Sequence, residues 1–89
     1  MEFDWDDAKH ASNIGKHGVD FLDVLIGFSD PLRLIRADDR HDYGEIRYNM
    51  LAKVHGRVHH VTFTVRGPVV WLISARKANK REQRRYAQG

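Results

Sequence analysis

The chain has 89 residues, no cysteine, a formal net charge of +3 with histidine neutral, and 30% charged against 42% hydrophobic residues. That length supports one domain spanning residues 1–89, and the missing thiols exclude a disulfide framework and a thiolate metal site. The acidic start lacks the apolar core of a signal peptide and no run reaches membrane-spanning length, so the expectation is a cytoplasmic globular domain without membrane contact.

Glu2 to Trp5 alternates polar and aromatic residues and predicts a short first strand. Asp6 or Asp7 can cap a helix running through Ala8, Ala11 and Ile14 to Lys16, with Gly18 as its stop. Lys16 and His17 sit where cations suit the helix dipole. A second helix is predicted from Asp20 to about Phe28, ended by Ser29-Asp30-Pro31. Helix, turn and helix do not make a groove reader, because the second helix has no Arg, Lys, Asn or Gln. Leu32 to Arg36 reads as a strand and Ala37 to Gly44 as a polar loop.

From Glu45 the pattern alternates with a period of two, and His55-Gly56 is a hairpin turn. With those two residues as the loop, Ile46, Tyr48 and Met50 fall opposite Val65, Phe63 and Val61. The other face then pairs Glu45 with Arg66, Arg47 with Thr64, Asn49 with Thr62 and Leu51 with His60, giving a polar, largely cationic surface. Arg66-Gly67-Pro68 turns into a last strand beginning at Val69 and Val70, and at Arg76 the chain becomes basic. Arg76, Lys77, Lys80, Arg81, Arg84 and Arg85 predict a cationic C-terminal helix with a thin apolar stripe of Ala78, Tyr86 and Ala87. So little apolar surface predicts a helix held loosely until a partner covers it. It is either a solvated terminal helix or a polyanion-binding surface. The elements together make an α+β two-layer domain.

Six histidines raise the question of a metal, which spacing rejects: His59 and His60 point to opposite faces of a strand, and His10 and His17 lack a carboxylate at ligand spacing. No cofactor is expected. What remains is His17, Glu45, Arg47, Arg66 and Arg76 beside the basic helix. Cleaving RNA without a metal needs a base for the 2′-OH, an acid for the departing 5′-oxygen, and cations around the phosphate, and these residue types supply all three. The bland alternative for Glu45 with Arg47 or Arg66 is a surface ion pair of small energetic worth.

Trp5-Asp6, Lys9, Asn13, Lys16-His17-Gly18-Val19 and Phe21 resemble the N-terminal pattern W-D-x-x-K-x-x-x-N-x-x-K-H-G-V-x-F of the BrnT toxins, and Asp30-Pro31 matches the helix stop that follows it. Ile73-Ser74-Ala75-Arg76, Ala78, Glu82 and Tyr86 resemble the family's C-terminal I-S-A-R-x-A-x-x-x-E-x-x-x-Y. Pro68 and Trp71 stand where polar residues are expected, and Val24 where alanine is common; Trp71 is a candidate contact for RNA bases or a partner. The resemblance implies a RelE-like fold and a metal-independent endoribonuclease of a type II toxin–antitoxin module, acting on mRNA. It implies neutralisation by a BrnA-like ribbon-helix-helix antitoxin, with operator DNA met only through the complex. On that basis His17, Glu45, Arg47 and Arg76 are the catalytic candidates. Lys16, Arg66, Lys77, Lys80, Arg81 and Arg84 are expected to hold the RNA backbone. The alternatives are a non-catalytic nucleic-acid-binding module and an interaction protein whose basic helix docks on an acidic partner.

Overall fold

Alternation between Arg47 and Arg66 builds the centre of the molecule, seen here in a computed structural model that describes residues 1–40 and 42–89. Strands β3 (Arg47–Val54) and β4 (Arg57–Arg66) pair antiparallel, with Tyr48 opposite Phe63 and Met50 opposite Val61, in the register the apolar pattern predicts. His55 and Gly56 both take positive φ, 48° and 80°, which gives the two-residue turn the twist a hairpin needs. β5 (Val69–Lys77) joins β4 antiparallel, β1 (Glu2–Trp5) lies parallel to β5 at one edge, and β2 (Leu34–Asp38) lies antiparallel to β3 at the other. The five-stranded order is β1-β5-β4-β3-β2.

Helix α1 (Asp7–His17) has the expected ends. The Asp6 side chain accepts from the Lys9 amide at 3.0 Å, and Gly18 closes the helix at φ 66° with its N–H on the Ile14 carbonyl. The second helix is shorter than predicted. α2 (Phe21–Val24) tightens into a 3₁₀ segment over Leu25–Ser29 as it crosses β3, where a Cβ on Gly27 would lie 3.1 Å from the Ala52 Cβ. β2 starts two residues later than the predicted Leu32, because Asp30 holds residues 30–33 in a turn through the amides of Leu32 and Arg33. The polar loop read over Ala37–Gly44 therefore begins at Asp39, and its His41 lies outside the described residues.

Phe21, Val24, Met50, Val61, Leu72 and Ala75 are fully buried between the sheet and the α1–α2 layer, with Phe3, Trp5, Phe28 and Tyr48 packed around them. α3 (Lys80–Gln88) lies on the other face, at one end only, where Ala78 and Tyr86 pack on Leu34, Leu51 and Val58. Among the described residues the rest of that face carries no helix, and its side chains are half-buried, with Thr64 fully buried.

β1 ends beside Leu72, so the outer edge of β5 beyond that point needs another partner. The buried Asn13 side chain supplies it. Its amide donates to the carbonyls of Ala75 and Val19, both at 2.8 Å, and its oxygen accepts from the Ala75 amide at 3.0 Å. One side chain thus continues the sheet's edge and joins α1 to β5. Asn13→Ala leaves three buried backbone groups unpaired and is expected to cost ~2–4 kcal/mol. A fall in melting temperature of roughly 10 °C or more checks this by calorimetry.

Candidate nucleic-acid interface

A bulge in β5 decides which way its basic end points. Phe63 pairs with Leu72 and Thr62 with Ser74, so Ile73 is the extra residue. Val70 and Leu72 face the core; without the bulge, strict alternation would send Arg76 there too. With it, Ala75 turns inward to full burial, and Arg76 joins the opposite face beside His60. That face carries Arg47, Asn49 and Leu51 from β3, Thr64, Thr62 and His60 from β4, and Trp71, Ser74 and Arg76 from β5, in three successive rungs.

At one end Arg76 makes a bidentate pair with Glu82 of α3, Nη1 to Oε1 at 2.8 Å and Nη2 to Oε2 at 3.0 Å. Glu82 also accepts from the Asn79 amide at 2.9 Å while its own amide donates to Asn79 Oδ1 at 2.8 Å, a capping box for α3. The Arg76 guanidinium beside it, against the cost of burial, brings the Glu82 carboxyl down to about 2. Tyr86 adds a second anchor, its hydroxyl donating to Asp30 Oδ2 at 2.6 Å; that acceptor pushes the phenol up to about 12. Lys53 donates its amide to the same oxygen. These contacts revise the expectation of a loosely held C-terminal helix. The thin apolar stripe is real, but polar anchors at both ends of α3 supplement it.

At the other end Arg66 clasps Glu45 with Nε and Nη2 at 3.2 and 3.1 Å, and its guanidinium lies over the Trp71 ring at 4.7 Å. The Arg66 hydrogen bonds hold the Glu45 carboxyl below its usual range, so it stays ionised and is a weak base. Arg47 stacks its guanidinium on Tyr43 at 3.8 Å, and its buried Nε has no hydrogen-bond partner among the described residues. Arg47 and Arg76 share the face two rungs apart, which is about 14 Å of strand. They are held by different groups, Tyr43 and Glu82.

The other candidates fall elsewhere. Lys16 and His17 are exposed at the end of α1, which packs on the sheet's opposite face; among the described residues no hydrogen bond or ion pair links His17 to Glu45, Arg47 or Arg76. Lys77 belongs to β5, opposite His59, and not to the basic helix. Lys80, Arg81 and Arg84 are exposed on α3 as predicted, and Arg81, Arg84 and Arg85 line a shallow cleft with Arg36 of β2. A second cleft of about 430 Å³ runs between β2 and α3, lined by Arg36, Arg40, Asn49, His60, Arg76 and Arg85 among others. Arg36, Arg40, His60 and Arg85 were not among the sequence candidates. Two of them had a signal: the hairpin register already put His60 on the polar face, and Arg85 belongs to the basic C-terminal run. Among the described residues no group of three His, Cys, Asp or Glu is placed to hold a metal ion, and no helix is long and apolar enough to cross a membrane.

A curled sheet with one helix-covered face, one cationic face and both motif-bearing termini docked on it agrees with what the sequence pattern implied. Residues 5–82 match the family described as the ribonuclease toxin, BrnT, of type II toxin–antitoxin systems. The chain belongs to the BrnT family. No curated protein sequence matches it. The family is one of ribonuclease toxins, each with an antitoxin counterpart. Most residues of the two BrnT-like patterns serve the fold: Asp6 and Gly18 cap α1, Asn13 stitches β5, Phe21 and Ala78 are buried, and Glu82 and Tyr86 dock α3. Lys9, Lys16 and His17 are exposed and have no such role.

Because Glu82 has an ordinary value of 4.5 and sits at about 2 in the fold, its contribution to stability is complete above pH 4.5 and is lost as pH falls toward 2. Glu82→Gln is expected to lower stability at pH 7 by ~1–3 kcal/mol. It should also flatten the acid limb of stability between pH 4.5 and 2, as urea titrations across that range will read.

Proposed function

We propose that the cationic sheet face binds single-stranded RNA along its backbone and that the protein is a metal-independent endoribonuclease that cuts mRNA and so stops translation in the cytoplasm. The observation that carries this is the placing of Arg47 and Arg76 on one sheet face, the one opposite α1 and α2, two rungs apart and flanked by the arginines of β2 and α3. Successive phosphates of an extended strand meet cations along that line, and the guanidiniums offset the charge that builds on the phosphate during cleavage. Arg66, positioned by Glu45 and stacked on Trp71, presents a third cation and an aromatic face on which a base can stack. Lys77, Lys80, Arg81 and Arg84 hold flanking backbone. His17, the acid–base candidate of the sequence pattern, stands at the end of α1 away from this face, and Glu45 acts through Arg66 more than by proton transfer.

In the same reading the neutralising partner is a BrnA-like ribbon-helix-helix antitoxin, and operator DNA is bound only by the toxin–antitoxin complex. Its support is the family membership, which brings an antitoxin with it. The engagement of Arg76 by Glu82 and of Glu45 by Arg66 is also what a purely binding surface would show, so the competing reading is a non-catalytic nucleic-acid module.

Purified protein incubated with RNA in EDTA separates them. Discrete fragments are expected, with an affinity that falls steeply as salt rises because each arginine–phosphate contact releases counterions. Arg47→Ala is expected to slow cleavage by ~10²–10³-fold while melting close to wild type. Intact RNA that merely shifts on a gel would establish the binding module instead.

A further inference from the structure

The cleft between β2 and α3 contains a base that none of the sequence candidates supplies. His60 stands on β4 directly across from Leu51 on β3 and from Arg76 on β5. Paired residues lie about 5 Å apart at Cα, so imidazole and guanidinium are lateral neighbours on one face. Among the described residues His60 is the only histidine lining the cleft, it is half-buried, and no side chain hydrogen-bonds its ring.

Two of the three carboxylates that line the cleft are occupied, and the third, Asp39, stands in the loop beyond the end of β2. Both Glu82 oxygens are taken by Arg76, and one also by the Asn79 amide. Asp38 is clasped by Arg40, Nε and Nη2 donating at 3.0 and 3.1 Å, and these bonds hold its carboxyl well below the usual range. A carboxylate so paired is a poor base near neutrality. An imidazole without such a partner is a good one.

We propose that His60 is the general base of the cleavage reaction, with Arg76 as the cation on the phosphate beside it. This rests on the ribonuclease reading above. The neutral imidazole takes the proton of a ribose 2′-OH. The freed oxygen forms a bond to the adjacent phosphorus as the bond from phosphorus to the 5′-oxygen breaks. The 5′-oxygen leaves as a hydroxyl after taking a proton from water, and the imidazolium returns its proton to solvent. The products are a 2′,3′-cyclic phosphate and a 5′-hydroxyl end, with no redox change and no proton gained or lost overall.

The surroundings favour the neutral ring that a base requires. Facing His60 are Arg76 from β5, Glu82 and Arg85 from α3, Arg36 and Asp38 from β2, and Asp39 and Arg40 just beyond it. Burial first, then the Arg76 charge, lowers the imidazole below its ordinary value, with Glu82 opposing in part. The same cations draw an anionic backbone over the ring. A phosphate held by Arg76 therefore brings its neighbouring ribose to the residue one strand away.

The test is His60→Gln assayed on RNA in EDTA from pH 5 to 8, with wild type alongside. Wild-type cleavage is expected to rise with pH through one ionisation and then level, giving cyclic-phosphate ends. The variant should bind RNA as wild type does, cleave at least ~10²-fold more slowly, and lose that rise. A variant that cleaves as fast as wild type with the same pH profile overturns the assignment and leaves the ribonuclease reading standing. Wild type that binds RNA without cutting it removes both. Should the variant fail to fold, NMR titration of the wild-type His60 ring decides the matter: its ionisation is expected to match the kinetic one, and a gap of a full unit overturns the proposal.

Discussion

The Arg76–Glu82 pair is the constraint on which the shape of the cationic sheet face depends. A helix with this many bases has little apolar surface to bury, and packing by Ala78 and Tyr86 alone would hold it weakly. Two charge-assisted hydrogen bonds between a strand and the first turn of α3, with the carboxylate also closing the helix cap, fix where the helix starts. With the start fixed, the Tyr86 hydroxyl reaches Asp30 and the helix covers Leu34, Leu51 and Val58 while leaving His60 and Asn49 at the foot of a cleft. Glu82 is buried but about a third of the Arg76 side chain meets solvent, so the pair's worth is smaller than its geometry alone suggests, and smaller again in salt. Its effect on architecture is larger than its energy.

Two consecutive residues of β5 hold the two helical layers. Ala75 offers its backbone to Asn13 of α1, and Arg76 offers its side chain to Glu82 of α3. Only the bulge at Ile73 makes this division possible, since it brings a small residue into the core and the arginine out of it. The same sequence paired without the bulge would turn the Arg76 guanidinium toward the core and Ala75 toward the opposite face. The local defect in the ladder is therefore part of the site's construction.

The hairpin was legible because apolar and polar residues alternate from Ile46 to Met50 and again from Val61 to Val65, and the loop of two admits one register. The caps of α1 were legible from Asp6 and Gly18, whose side chain and lack of one do the work locally. The end of β5 was not. Arg76 and Lys77 look like the opening of a basic helix, and the linear signal that places the cap at Asn79, a glutamate three residues on at Glu82, is masked by that run of charge. The parallel pairing of β1 with β5 is likewise a long-range fact with no local signature. At the site, residue type identified Arg47, Glu45 and Arg66, which the structure keeps together. It could not separate them from Arg76 by two rungs of sheet, nor put the end of α1, where His17 was already read, on the opposite layer, nor show that Arg36 and Arg85 from distant segments face one cleft.

The central claim is that the sheet face opposite α1 and α2, and not the helical layer, meets RNA. Backbone amide NMR with a non-cleavable 2′-O-methyl RNA oligonucleotide tests it most directly. The account predicts that shift changes gather at Arg47, Asn49, His60, Thr62, Thr64 and Arg76 and along α3, while Leu22, Ile26 and the body of α1 stay still. Changes concentrated on α1 and α2, with the β3–β5 face unmoved, would contradict it.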